Sequence, residues 1–314
     1  MHQFSIITPT YNRAEYLPAV FNCLKEQGEI DLEWIIIDDG SNDNTREIVA
    51  QFNAPFSIVY EYQDNAGKPS AVNKGVSLAD SYISLLHDSD DTLLPNILPV
   101  VWGYYDNSTG LFKENCVSLA GLCVYNNDEI IGDIFPYDYF VSDHIEYRFN
   151  KNIKGDKCEF YLTSILKAYP FPIINNEKFI AESFIWNRIA LDHKTLYINN
   201  IFLRKIFLKQ GLSNQPIWEN NPHSSELFFN ETTNQKFSYS IRLKNSAKYI
   251  EYARRNKKNI LHIYNNSINK QIFALGFFFS LIYKLKLNLK QNSIILKLHS
   301  KLNKKNNKYW KKII

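Results

Sequence analysis

Tyr82-Ile83-Ser84-Leu85-Leu86-His87-Asp88-Ser89-Asp90-Asp91 is a strand-length apolar run that ends abruptly in three carboxylates. The first half has the composition of a strand interior. The second half gathers like charges, which repel one another unless something compensates them. Three upstream stretches share the form of the first half: FSIIT (Phe4 to Thr8), stopped by Pro9; EWIIID (Glu33 to Asp38), stopped by Asp39-Gly40-Ser41; and SIVYEY (Ser57 to Tyr62). Helical stretches lie between them. Ala14 to Gln27 carries Leu17, Val20, Phe21 and Leu24 at three/four spacing. Asn44 to Phe52 follows a cluster of capping residues, and Ser70 to Ala79 forms a third helix. Strands alternating with helices predict parallel pairing with helices on both faces, an open α/β sheet up to Asp91.

Beyond Leu93 the pattern is mixed. Val117 to Tyr125 is predicted as a strand, Cys158 to Ala168 and Ser183 to Asp192 as helices, and the chain from Ser224 onward as mostly helical. Neither an internal repeat nor a Gly/Ser linker interrupts it. With 314 residues, 45% hydrophobic and 22% charged, the chain has a globular composition and room for one large domain with an appendage. Met1-His2-Gln3-Phe4 runs straight into a strand pattern, so no secretory signal is expected. The four cysteines (Cys23, Cys116, Cys123, Cys158) have neither metal-type nor redox-type spacing, which reads as free thiols in a reducing compartment without zinc.

In an open α/β sheet, ligands bind outside the carboxyl ends of the strands. Those ends here are Pro9 to Arg13, Asp38 to Ser41, Asp64 to Lys68 and His87 to Asp91. Taken alone, Asp88-Ser89-Asp90-Asp91 is a solvated turn whose Asp90 or Asp91 could cap a helix near Leu94-Pro95. After strand four, with a second acid pair nearby, it reads as a divalent-metal site, since carboxylate oxygens suit Mg²⁺ or Mn²⁺. Asp38-Asp39-Gly40-Ser41 is either a capped turn or an acceptor for a base edge or ribose hydroxyl. Asn65-Ala66-Gly67-Lys68 offers a glycine for close backbone approach and a cation for phosphate, without the spacing of a P-loop.

Together these segments resemble the inverting family 2 glycosyltransferases of bacterial surface-polysaccharide type, which have the GT-A fold. The resemblance rests on TPTYNR (Thr8 to Arg13), DDGS (Asp38 to Ser41), NAGKPSAVNKG (Asn65 to Gly75) and HDSDD (His87 to Asp91). It continues through GDK (Gly155 to Lys157), YPFP (Tyr169 to Pro172) and KFIAESFIWNRIA (Lys178 to Ala190), then GLSNQ and ENNP, ending near Pro222. It implies a GT-A domain over 1–222, with a nucleotide-binding half 1–92 and an acceptor half 93–222. A helical, basic extension over 223–314 would follow.

The resemblance also implies roles. Pro9, Tyr11 and Arg13 would line the nucleotide pocket, Asp39 would hold the base or ribose with Asp38 beside it, and Lys68 and Asn73 would face the donor. Asp88, with Ser89, would contact the donor, and Asp90 with Asp91 would bind Mn²⁺ or Mg²⁺ on the diphosphate. The catalytic base falls in Ala181-Glu182-Ser183, where the commoner Glu-Asp pair is reduced to Glu182; Asp156 and Glu177 are the alternatives. The implied reaction is transfer of a sugar from a UDP-sugar to a saccharide or lipid-linked acceptor. Two other classes stay open at this point: a nucleotidyltransferase making nucleotide sugars, and a non-catalytic binding protein that keeps the fold.

Charge is unevenly distributed. Residues 252–314 hold 15 Lys and Arg and no acid, leaving 21 against all 32 acids in 1–251, a balance of −11. Ile272 to Tyr283 (IFALGFFFSLIY) is apolar for 12 residues, short of the about 20 that span a bilayer. Lys270 flanks it on one side and Lys284, Lys286 and Lys290 on the other; Tyr309, Trp310, Lys311 and Lys312 lie further on. The pattern fits either a helix packed on the body or an in-plane helix on an anionic membrane face. The expected location is cytoplasmic, peripheral on the inner face of the membrane, and nucleic acid is not an expected partner.

Overall fold

The computed structural model describes residues 1–106, 115–174, 176–206 and 216–281. GLSNQ and the lysines from Lys284 onward lie outside the described residues. The first half runs β1 (His2–Thr10), α1 (Leu17–Lys25), β2 (Leu32–Asp38), α2 (Thr45–Val49), β3 (Ser57–Tyr62), α3 (Lys68–Leu78), β4 (Ser81–Leu86), β5 (Asp91–Leu93) and α4 (Ile97–Tyr105). There follow β6 (Cys116–Tyr125), β7 (Phe140–Ser142), a π-helical turn (Ile145–Asn150), β8 (Lys157–Leu162), α5 (Thr163–Ala168), α6 (Ser183–Asp192) and β9 (Lys194–Lys205). The last elements are α7 (Ile217–Asn220), α8 (Pro222–Glu231), α9 (Tyr239–Arg255), α10 (Ile260–Asn265) and a helix over 270–281.

One sheet runs in the order β3-β2-β1-β4-β8-β6-β9-β5, with β7 also on β9. The first four strands are parallel, as their alternation with helices demands. β8 runs antiparallel to both β4 and β6, and β9 is parallel to β6. From β1 the chain steps outward to β2 and β3, then returns to the other side of β1 as β4. The crevice where strand order reverses therefore opens between the carboxyl ends of β1 and β4.

Helices cover both faces. On one, α1 and α4 place Leu17, Val20, Leu24, Leu98 and Val101 against Phe4, Ile6, Trp34, Ile36 and Leu85. On the other, α3 lies so close to β1 and β2 that a Cβ at Gly75 would overlap Ile7, which explains the glycine in Asn73-Lys74-Gly75. Burying such side chains yields about 25 cal/mol per Å² of apolar surface.

Three local expectations need correction. Cys158 to Ala168 is not one helix: β8 takes Lys157–Leu162, because Cys158 and Phe160 bury into the core between β4 and β6, and only α5 is helical. Pro9 does not stop β1, which continues to Thr10, whose carbonyl accepts from Asp39 N–H at 2.8 Å. Asp90 and Asp91 cap no helix; Asp91 lies in β5, and α4 begins after Asn96.

The chain divides into two compact units, Met1–Phe228 with Lys236–Ser238, and Phe229–Gln235 with Tyr239–Ile314. The second unit is helical where described. Tyr249, Ile250, Ala253, Ile263, Ile272 and Phe273 are buried there, and Tyr249 donates to the Ile263 carbonyl at 2.9 Å. Among the described residues no helix is long and apolar enough to cross a membrane.

Candidate active site

The loops after β1 and β2 are stitched together. Asn12 sits in the left-handed region (φ 51°), its N–H donates to Ser41 Oγ (2.9 Å), and its side-chain oxygen accepts from Asn42 N–H (2.8 Å). This presents Arg13, whose Nη1 reaches across the switch point to Asp90 Oδ2 at 3.0 Å. Tyr11 is exposed (46%), and Pro9 lies within β1.

Asp38 and Asp39 are the acids expected at the base or ribose. Both are buried (2% and 5% exposed) and engaged by the chain itself. Asp38 accepts from Ser41 N–H (2.8 Å) and the Tyr60 hydroxyl (2.6 Å). Asp39 accepts from the Gln63 amide (2.7 Å), Ala66 N–H (2.9 Å) and Gly67 N–H (2.8 Å). They shape the two turns. Asn73, expected to face the donor, has its amide donating to the Phe171 carbonyl (2.8 Å) and its side-chain oxygen accepting from Phe171 N–H (2.9 Å), which fastens α3 to the YPFP segment.

The Asn65-Ala66-Gly67-Lys68 turn is the hub. Gly67 has φ 92°, and a Cβ there would overlap the backbone of Lys178. Only glycine allows that approach, which is reinforced by Lys178 Nζ donating to the Asn65 side chain (2.6 Å). The next residue, Lys68, opens α3 and places its ammonium 2.5 Å from Asp88 Oδ1 and 2.6 Å from Glu182 Oε1. Burial works against that ammonium, but Asp88 and Glu182 together hold it well above the ordinary lysine value. Burial likewise opposes ionisation of Asp88; Lys68, then Lys205, outweigh it and hold its carboxyl well below the usual range.

Glu182 stands at the N-cap of α6 with its side chain 42% exposed. Of the two alternatives, Glu177 is accounted for otherwise: its oxygens accept from His223 and Ser224 N–H (2.7 and 2.6 Å), capping α8. Asp156 lies 3.4 Å from Lys205 Nζ and is exposed.

Asp91, expected beside Asp90 as a metal ligand, is buried in β5 and lies 3.2 Å from Lys205 Nζ. Burial pushes its carboxyl up to about 7, against the pull of Lys205. The carboxylates at the opening are Asp88 and Asp90, with side chains 37% and 22% exposed. Among the described residues no group of three or more acidic, histidine or cysteine side chains converges as a complete metal cage. Two carboxylates bearing only exchangeable cationic partners are nonetheless a suitable donor set for Mg²⁺ or Mn²⁺, which commonly takes one or two protein carboxylates and completes its shell with phosphate and water.

Two residues here escaped the sequence reading. Lys205 ends β9, a strand absent from the predicted elements, and joins Asp91 to Asp156; a lysine closing an apolar run looks like any solvated strand end. His87 is buried (2% exposed), and both ring nitrogens lack a hydrogen-bond partner among the described residues. Burial pushes its imidazole down to about 4, so it is neutral beside Asp88. Ser89 is buried as well.

Residues 5–112 match the family model described as Glycosyl transferase family 2. An uncharacterized glycosyltransferase of Nostoc is 36% identical over 31% of this chain and 30% of its own length. The abequosyltransferase RfbV of Salmonella typhimurium is 32% identical over 34% of each chain. The chain thus spans about a third of the first curated relatives it matches. The Escherichia coli UDP-Glc:alpha-D-GlcNAc-diphosphoundecaprenol beta-1,3-glucosyltransferase WfgD is 26% identical over 63% of this chain and 74% of its own. Among solved structures, S. aureus TarS 1-349 in complex with UDP-GlcNAc matches over 87% of this chain and 83% of that one, with TM-score 0.59 and 16% identity. The likeness is one of fold, and the fold is GT-A.

Proposed function

We propose, from the match of residues 5–112 to the family model Glycosyl transferase family 2, that the chain transfers a sugar from a UDP-sugar to a saccharide or lipid-linked acceptor of surface polysaccharide, with inversion at the anomeric carbon. The observation that carries this reading is Lys68, which draws the Asp88 carboxylate at the end of β4 and the Glu182 carboxylate at the start of α6 into one cluster. That juxtaposition supports a reading in which Lys68 binds phosphate, Asp88 serves the donor and Glu182 acts as general base.

In this reading the nucleotide lies along the crevice between β1 and β4, with Tyr11 and Arg13 beside it. Lys68 and Arg13 offer their cations to the diphosphate. Asp90, assisted by Asp88, would hold the divalent metal, which would supply charge neutralisation for the leaving diphosphate. Asp91 and Lys205 sit behind as a buried pair that positions the turn. Glu182 accepts the proton of the acceptor hydroxyl as its oxygen attacks the anomeric carbon. A single displacement through a transition state of oxocarbenium character needs no covalent enzyme intermediate. Nucleotidyl transfer draws no support from the relatives.

A peripheral place on the cytoplasmic face of the membrane belongs to the same reading. Within 252–281, Leu275, Phe278 and Phe279 are exposed (47%, 65% and 53%), and the same segment carries Lys257, Lys258 and Lys270 and no acid. Sedimentation with anionic vesicles should carry the full chain down, and vesicles that leave it in solution would remove the membrane from the proposal.

The test of the activity is release of UDP from a panel of UDP-sugars in Mn²⁺ or Mg²⁺, with and without saccharide acceptors. Asp90→Ala should abolish the metal-dependent part of UDP binding. Undiminished affinity in that variant would overturn the metal assignment, and the absence of any turnover across the panel would overturn the function.

A further inference from the structure

Lys68 has two partners on two sides of the proposed reaction. Asp88 belongs to the donor side, at the end of β4, and Glu182 to the acceptor side, at the N-cap of α6; the ammonium touches both, at 2.5 and 2.6 Å. The backbone beneath it is well held. Ala66 and Gly67 N–H both donate to buried Asp39, and Gly67 packs against the Lys178 backbone on the segment that leads to Glu182. The contact is thus a junction between two fixed pieces of chain, bridged by one long side chain with rotatable donors.

Resting on the glycosyl-transfer reading, we infer that Lys68 is a positioning residue that couples the two substrates. Without a donor it occupies the Glu182 carboxylate, and a bound diphosphate draws it away and frees that carboxylate for the acceptor hydroxyl. A carboxylate oxygen engaged by an ammonium is a weaker and less accessible proton acceptor than a free one. A diphosphate carries more negative charge than Glu182 and offers several oxygens, so it competes for the same cation.

Linkage makes the inference testable without knowing the acceptor. If the donor must displace Glu182 from Lys68, removing the Glu182 charge has to strengthen donor binding through Lys68 and through no other route. The measurement is the affinity of the full chain for UDP with Mg²⁺ by calorimetry, in wild type, Glu182→Gln, Lys68→Met and the double variant. Glu182→Gln should bind UDP about fivefold or more tighter, Lys68→Met should bind it more weakly, and Glu182→Gln should change nothing in the Lys68→Met background. Lys68→Arg should retain the response to Glu182→Gln. An unchanged affinity in Glu182→Gln overturns the inference. So does an equal gain in both backgrounds, which would be plain repulsion of the nucleotide.

A second measurement is independent of nucleotide identity. A carbodiimide joins a lysine amine to a touching carboxylate as an amide, and the carbodiimide leaves as its urea. The ligand-free chain should give a Lys68–Glu182 cross-link by peptide mass spectrometry, and Mg²⁺ with inorganic pyrophosphate should suppress it. Absence of any Lys68–Glu182 product in the ligand-free chain overturns the coupling. Failure of wild type to bind UDP, with the cross-link present, counts against the UDP-sugar reading instead.

Discussion

Asp38-Asp39 at the end of β2 and Asp88-Ser89-Asp90 at the end of β4 bring the same functional group to the same edge of the sheet. Asp38 and Asp39 accept from backbone N–H groups, a tyrosine hydroxyl and a glutamine amide. Asp88 and Asp90 accept from Lys68 and Arg13. The difference teaches how to tell a scaffold acid from a ligand-facing one. A buried backbone donor has no alternative partner, so the acid that satisfies it is part of the turn. A lysine or arginine at an opening can turn to a phosphate, so the acid that holds it is available to a ligand.

The largest effect that sharpens this comparison is on the ligand-facing side. Glu182→Gln should reduce transfer about 10²–10⁴-fold, the usual range for a general base, while UDP binding persists. Turnover at the wild-type rate would move the base to Asp156, since Glu177 is held as a helix cap.

Next comes the direct contrast between the two turns. Asp39→Ala leaves the Gln63 amide and two backbone N–H groups without their acceptor, and should cost about 2–4 kcal/mol in urea unfolding. Asp90→Ala breaks only a part-exposed pair with Arg13 and should change stability by about 1 kcal/mol or less. If Asp90→Ala unfolds the chain and Asp39→Ala leaves it intact, the assignment of scaffold and ligand-facing acids is reversed.

The smallest effect tests the same principle away from the crevice. Glu177→Ala removes the acceptor for His223 and Ser224 N–H at the start of α8, at a cost of about 1 kcal/mol in thermal unfolding, with transfer kinetics unaltered. A large loss of transfer at unchanged stability would return Glu177 to the reaction.

What the sequence alone determined is what local chemistry encodes. The apolar runs ending in Asp38, Tyr62 and Leu86 stand as β2, β3 and β4, because period and strand-breaking residues are read within a few positions. Ser183–Asp192 is a helix with the predicted bounds for the same reason. The strand ends therefore located the crevice and named most residues around it. Only the tertiary structure decided which of those residues meet. The joining of Asp88 to Glu182 through Lys68, the capping of α8 by Glu177 and the attachment of Asn73 to Phe171 all link segments far apart in the chain. So does the pairing of Asp91 with Lys205, which closes the apolar run of β9. A carboxylate carries no mark of its partner in its own neighbourhood of sequence. Whether it caps, braces or faces a ligand depends on which donor the packed sheet brings within 3 Å, a typical hydrogen-bond distance of about 2.7–3.2 Å.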